Sequence, residues 1–351
     1  MKLVIVGLAL LLSASAASAA GYPAPKEGDW IVRDFRFHTG DVLPELRMHY
    51  TTIGSPSGEP VLVLHGTTGA AAALLTEAFA GELFGPGQPL DASRYFIILP
   101  DAIGSGKSSK PSDGLRMSFP RYNYDDMIQG HYRLLTEHLG VRHLRLVIGN
   151  SMGGMLTWQW GGTYPDFMDA LVPMAALPAP MSGRNWMLRR MVIDAIRNDP
   201  GWKGGSYTTQ PRLWKAGFAY FQLATSGGTR AIYKAAPTRE KADAYLDGRL
   251  AESTPFDAND VLYQFDGARD YDPTPGLARI RARLLAIVAA DDERNPIELG
   301  ILERETQKIK GARHVWIPAS DETRGHGTTG SAKWWKGYLS ELLQSIAVAS
   351  K

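Results

Sequence analysis

Two kinds of apolar pattern divide the chain. The segments Trp30 to Phe37 and Leu46 to Ile53 place apolar residues at mostly even spacing, as half-buried antiparallel strands do. Asp41 and Pro44 fall between them and predict a turn. Further on, continuous apolar runs take over: 61–64, 95–99, 144–148, 284–288 and the shorter 315–317. Runs of this length, bounded by Gly, Pro or Asp, suit strands covered on both faces, as in a parallel sheet. Helical stretches separate them, for example 124–139, where Met127, Leu134 and Leu135 recur near the helical period. Alternating buried strands and helices predict an α/β fold with helices on both faces of a mostly parallel sheet. Sites in such folds lie at the carboxyl ends of the strands.

From about 178 to 275 the rhythm breaks. No strand-like run appears, and several helical segments are rich in Trp, Tyr, Phe and Met. This stretch is read as a helical cap inserted between a fifth or sixth strand and the next. The expected organisation is therefore 1–20 as a leader, 21–177 and 276–351 as the two parts of the core, and 178–275 as the cap.

Composition alters the picture at two points. Residues 1–20 combine a positive start at Lys2, an unbroken apolar run from Leu3 to Leu12 and small residues ending near Ala17-Ser18-Ala19, the pattern of a cleavable signal peptide. The expectation is a periplasmic or secreted protein with no stable membrane anchor after cleavage. The chain also has no cysteine, which excludes a thiol nucleophile, a thiolate zinc site and an iron–sulfur cluster. Otherwise 351 residues at a formal charge of +2, without a Lys/Arg run, predict an ordinary soluble domain that does not bind nucleic acid.

Candidate chemistry centres on Gly149-Asn150-Ser151-Met152-Gly153, a G-x-S-x-G motif between a buried strand and a helical segment. In that setting the serine occupies a tight turn, and the flanking glycines admit the neighbouring chain. A serine nucleophile needs a base. Of eight histidines, His326 stands apart, in the glycine-flanked loop Arg324-Gly325-His326-Gly327 just beyond the last short strand. His131 and His138 fall on a helix, His314 begins a strand, and His65 is read as packing its loop. The base in turn needs a carboxylate, and Asp291 and Asp292 follow the strand that ends at Ala290, in the chain order Ser, Asp, His. Position alone leaves both open. The loop His65-Gly66-Thr67-Thr68-Gly69 and the residue after the nucleophile supply the expected oxyanion donors, the N–H groups of Thr67 and Met152. Gly104-Ser105-Gly106-Lys107-Ser108 imitates the end of a phosphate-binding loop, but Asp101 occupies the place of the required first glycine. No histidine pair at metal spacing accompanies nearby carboxylates, and neither metal nor cofactor is expected.

These residues resemble the homoserine O-acetyltransferase branch of the α/β-hydrolases. Ser151-Met152-Gly153-Gly154-Met155 followed by Tyr164-Pro165-Asp166 is similar to that branch's nucleophile helix, and the stretch from Ala195 to Tyr207 is similar to its cap. The resemblance implies the α/β-hydrolase fold with a helical cap and catalysis by Ser151, Asp292 and His326. Asp292 is favoured because the branch's acid stands four residues before a proline, here Pro296. A homodimer formed through cap helices is a further implication. Relatives that use homoserine carry an aspartate after the histidine for the substrate amine and a cap arginine for its carboxylate. Here those places hold Gly327 and Gln222, with Arg212 nearby. Trp186, Tyr207, Phe218 and Gln222 are the candidate substrate contacts in the cap.

Three functions fit these residues. A serine hydrolase of carboxylic esters, acting on a small-molecule acyl ester, is the expected one. An O-acyltransferase using the same residues is the alternative, and a non-catalytic binding protein the remaining one.

Overall fold

The computed structural model describes residues 21–225, 227–251 and 255–347. The leader expected at 1–20 lies outside the described residues. Eight strands form one sheet: β1 (Lys26–Arg36), β2 (Val42–Ile53), β3 (Glu59–Leu64), β4 (Tyr95–Pro100), β5 (Leu146–Asn150), β6 (Ala170–Met174), β7 (Arg283–Ala289) and β8 (Arg313–Ile317). Their order is β1-β2-β4-β3-β5-β6-β7-β8. β2 pairs antiparallel with both β1 and β4, and every other pairing is parallel.

The strand runs explain themselves by alternation. Val61 and Val63 join one apolar cluster while Leu62 and Leu64 join another, and Leu146 and Ile148 part from Val147 in the same way. Each face of the sheet thus has its own core, which is why these strands read as unbroken apolar runs.

Two expectations need correction. Pro44 lies within β2, not in the turn; it is skipped in the ladder together with Asp34 opposite, whose φ is 47°. Proline has no N–H to offer the ladder, so the pairing is interrupted at this one position and resumes in the same register. The second correction is β6, which none of the apolar runs identified. It is five residues long and contains Pro173, a residue that argues against a central strand.

The helices are α1 (Tyr124–Arg133), α2 (Met152–Thr163), α3 (Gly183–Arg197), α4 (Trp214–Leu223), α5 (Thr229–Ala235), α6 (Arg239–Ala251), α7 (Ala258–Asp266), α8 (Ile301–Thr306) and α9 (Lys336–Ala347). α1 opens on a reciprocal cap between Asn123 and Asp126, and Asp126 also holds the His38 ring at 2.6 Å. The helical pattern expected to 139 continues past α1 as a π-turn over Leu134–His138. His131 on α1 is buried with both ring nitrogens unpartnered, and burial drives its pKa down to about 3.

α3 to α7 all fall between β6 and β7 and form the helical insertion. The side chain of Gln264 on α7 ties it to the sheet's carboxyl edge. Gln264 accepts from Thr68 N at 3.0 Å and donates to Gly104 O at 2.5 Å, in the loops after β3 and β4. The imitation phosphate loop is folded around Asp101, which accepts from Lys107 N at 2.8 Å and Ala71 N at 2.7 Å.

Candidate active site

Ser151 joins β5 to α2 with φ 59° and ψ −115°, a strained backbone for a residue with a side chain. Crowding explains the glycines around it. A Cβ on Gly149 would lie 2.2 Å from Gly153 O, and one on Gly153 would lie 2.1 Å from Leu64 O. No side chain fits either position. The turn is held by Ser151 N donating to Met174 O at 2.9 Å, at the end of β6.

His326 reaches this serine from the loop after β8. Its Nε2 is 2.7 Å from Ser151 Oγ, and its Nδ1 is 2.9 Å from Asp292 Oδ2 and 3.1 Å from Oδ1. The loop is fastened to the serine turn by Thr329 Oγ1, which donates to Asn150 Oδ1 at 2.5 Å. Asp292 also accepts from Asn295 Nδ2 at 2.8 Å and Arg294 N at 2.9 Å. Burial alone would raise the Asp292 pKa, but His326, Asn295 and Arg294 together hold it below the ordinary carboxylate value. Burial is the main cause that lowers the His326 pKa, and the Arg294 charge adds to it, against the pull of Asp292. The ring is therefore neutral at pH 7, with Nδ1–H facing Asp292 and Nε2 free to accept the serine proton.

The two aspartates left open by the sequence have different partners. Asp291 accepts from Thr323 Oγ1 at 2.7 Å and Gly325 N at 3.2 Å, so it supports the histidine loop instead of the histidine. Gly66, which precedes Thr67 in the chain, lies against the serine: a Cβ on it would be 3.4 Å from Ser151 Cβ. Met152 is the first residue of α2, where an N–H has no acceptor within the helix. His65 packs its loop: Nδ1 donates to Gly66 O at 2.8 Å, and Nε2 accepts from Ala102 N at 3.0 Å.

The cap candidates are placed mostly elsewhere. Tyr207 donates to Asp257 Oδ1 at 2.6 Å and braces the start of α7. Phe218 packs among Trp214, Phe256 and Phe265 inside the insertion. Trp186 lies under the Arg269 guanidinium, Gln222 is half-buried, and Arg212 is exposed. Two arginines that the sequence did not single out pack inward instead, Arg189 buried and Arg294 half-buried. Arg294 stacks on Phe221 at 4.2 Å, and Arg189 stacks on Phe265 at 5.5 Å. A cavity of about 260 Å³ is lined by Met155, Leu177, Asn185, Arg294 and Asn295 among others. A groove of about 550 Å³, lined by residues such as Leu115, Arg121 and Tyr263, touches none of Ser151, His326 and Asp292.

Comparison with known proteins bears on the family and the fold. The model of the alpha/beta hydrolase fold family matches residues 59–320. A homoserine O-acetyltransferase from Haemophilus influenzae is 31% identical over 301 residues, spanning 74% of this chain and 82% of that protein. The solved homoserine O-acetyltransferase from Bacillus anthracis superposes with a TM-score of 0.79 at 21% identity, covering 91% of this chain and 97% of that one. An acetylester hydrolase from Corynebacterium glutamicum gives 0.78 at 21% identity, covering 95% and 99%. The two structural likenesses speak for the fold.

Proposed function

The chain belongs to the α/β-hydrolase family, in its homoserine O-acetyltransferase-like branch, and on that premise we propose that it is an O-acyltransferase whose acyl carrier is Ser151. The observation that carries the reading is the hydrogen-bonded series Ser151, His326, Asp292, with contacts of 2.7 and 2.9 Å. The sequence favoured ester hydrolysis, with transfer second. An enzyme over 30% identical along most of both chains is an acyltransferase, and this reverses the order.

In the first half-reaction Ser151 Oγ attacks the acyl carbonyl and its proton passes to His326 Nε2. The tetrahedral oxyanion faces the N–H groups of Thr67 and Met152. As it collapses, the carbon–leaving-group bond breaks and the imidazolium returns the proton to the departing group. Asp292 fixes the tautomer and stabilises the imidazolium. The second half-reaction is the reverse sequence with an acceptor hydroxyl: its proton goes to His326, its oxygen bonds the acyl carbon, and Ser151 Oγ leaves reprotonated. Ser151 and His326 are only 6% and 7% exposed, which limits competing water.

Hydrolysis is the second reading, and Gly327 favours it. The aspartate that homoserine users carry beside the histidine is absent, so water is the simpler acceptor. The test is acyl release from a short-chain aryl ester, with and without added alcohols, by the wild type and Ser151→Ala. Acylated alcohol as the main product supports transfer, and free acid despite acceptors moves the assignment to an esterase. Activity that survives in Ser151→Ala overturns both. We also propose export through the leader at 1–20. Mass measurement of the protein recovered from its host tests this, since an intact Met1 end excludes cleavage.

A further inference from the structure

Arg189 occupies the inward stripe of α3 with Val192, Ile193 and Ile196, and is 0% exposed. Its Nε donates to Asn185 Oδ1 at 3.1 Å, and its plane lies over the Phe265 ring. Nη1 and Nη2 have no hydrogen-bond partner, and no carboxylate pairs with the group among the described residues. A guanidinium stays charged at any physiological pH. Burying one with its terminal N–H groups unpaired is strongly unfavourable unless an anion completes it.

The surroundings show where that anion belongs. The buried Tyr124 phenol lies between Arg189 and Thr67. Burial raises its pKa, and both neighbours restrain the rise. The Tyr124 hydroxyl and Thr67 Oγ1 are likewise buried, and neither makes a hydrogen bond of good geometry, although the hydroxyl is close enough to Arg189 and Thr67 to interact with both. Arg189, Tyr124 and Thr67 therefore form a contiguous buried polar row from α3 to the loop after β3, and no carboxylate among the described residues balances the Arg189 charge. A second guanidinium reinforces the sign of the field. Phe221 and Phe265 meet edge to face at 5.0 Å, and each carries an arginine on its ring, Arg294 on the first and Arg189 on the second. Burial, followed by the neighbouring Arg189 charge, lowers the Arg294 pKa to about 9. Both charges also bear on His326. An ammonium group brought into this field would be repelled, and Gly327 offers it no carboxylate.

We propose that Arg189 is a specificity-determining residue that seats a carboxylate of the substrate, on either the acyl group or the acceptor, and that the substrate lacks a neighbouring ammonium. The proposal rests on the assignment of Ser151 as acyl carrier, and names the substrate class for that site.

The test compares matched substrates on the full chain. For the acyl arm, an aryl hemiglutarate is set against the aryl pentanoate. For the acceptor arm, 4-hydroxybutyrate is set against 1-butanol with an aryl acetate as donor. Wild type is expected to favour the anionic member of one arm by at least about tenfold in kcat/KM, as charge-assisted bidentate recognition provides. Arg189→Gln should collapse that ratio towards one, mainly through KM, with partial recovery in Arg189→Lys. A ratio near one in both arms of the wild type, or a ratio that Arg189→Gln leaves intact, overturns the proposal. Thermal melts of Ser151→Ala with glutarate and with glutaramide supply a readout that needs neither turnover nor a folded Arg189 variant. Stabilisation by the diacid alone supports the anchor, and equal effects of the two compounds overturn it. If no ester is turned over while glutarate still stabilises, the acyl-carrier reading fails and the anion site stands.

Discussion

The site has two walls of opposite character. On the sheet side, groups are paired in series: Ser151 with His326, His326 with Asp292, Asp292 with Asn295, and Asp291 with the histidine loop. Facing it, Arg189 of the insertion lies with Tyr124 at the start of α1 and Thr67 in the loop after β3, and Arg189 Nη1 and Nη2, Tyr124 Oη and Thr67 Oγ1 are buried with no hydrogen bond of good geometry. The paired wall is organised before any ligand arrives, which is what rate acceleration by fixed dipoles requires. The unpaired wall is completed by what it binds. On the proposed function, chemistry and selectivity reside on different parts of the chain, the first on strand ends and the second on α3 and its neighbours.

The sharpest way to break this division is within the paired wall. Asp292→Asn is expected to lower kcat by about 10³- to 10⁴-fold, because the amide no longer enforces the tautomer. Asp291→Asn, which loosens the loop alone, should cost on the order of tenfold and some thermal stability. Equal losses in the two variants would show that the carboxylates share one role.

The next effect couples the two walls. Activity requires neutral His326, and that group's pKa lies below its ordinary 6.5 because of burial, then Arg294, with a contribution from Arg189. The acid limb of kcat/KM should therefore fall at an apparent pKa under 6.5, with full activity above it. Arg189→Gln removes one positive charge and should move the limb upward by a fraction of a pH unit. A limb at or above 6.5 in the wild type would contradict the field ascribed to the arginines.

A last effect, on stability and not on activity, concerns the seam between insertion and core. Asp260 on α7 accepts from Ser112 N at 2.8 Å and Ser112 Oγ at 2.6 Å, and burial raises its pKa to about 6. The folded state holds this proton more tightly than the unfolded chain, so stability falls as pH rises from about 4 to about 6. Asp260→Asn should remove that dependence, gaining on the order of 2 kcal/mol relative to wild type between pH 4 and pH 8. Denaturant midpoints at the two pH values measure it, and parallel curves for both proteins would refute it.

The sequence revealed the paired wall far better than the unpaired one. Ser151, His326 and Asp292 stand beside strand ends, glycines and each other's expected order, so local pattern and chain order both point at them. Thr67 and Met152 follow from the same frame. Arg189 left no such signal. An arginine within a helical stretch reads as a solvated position, and only the packing of α3 against α7 turns it inward. Tyr207 and Phe218 misled for the complementary reason, since aromatic residues in a cap serve its own core as readily as a ligand. Most strands were legible because both faces are apolar, whereas β6 was hidden by its brevity and by Pro173.

That hidden strand sets a distance. Its end accepts Ser151 N at Met174 O and Asn295 Nδ2 at Ala175 O, both at 2.9 Å. The nucleophile turn and the acid loop are thus gauged from adjacent residues of a segment that supplies neither the nucleophile, the base nor the acid. Such a segment tolerates exchanges of side chain more readily than any change of length. A one-residue insertion or deletion between Met168 and Met174 would move both anchors along the sheet, and one between Met174 and Ala175 would shift one against the other, while every reactive group remained in the chain. For anyone recombining this protein with a relative, the permissible crossover points lie outside that span.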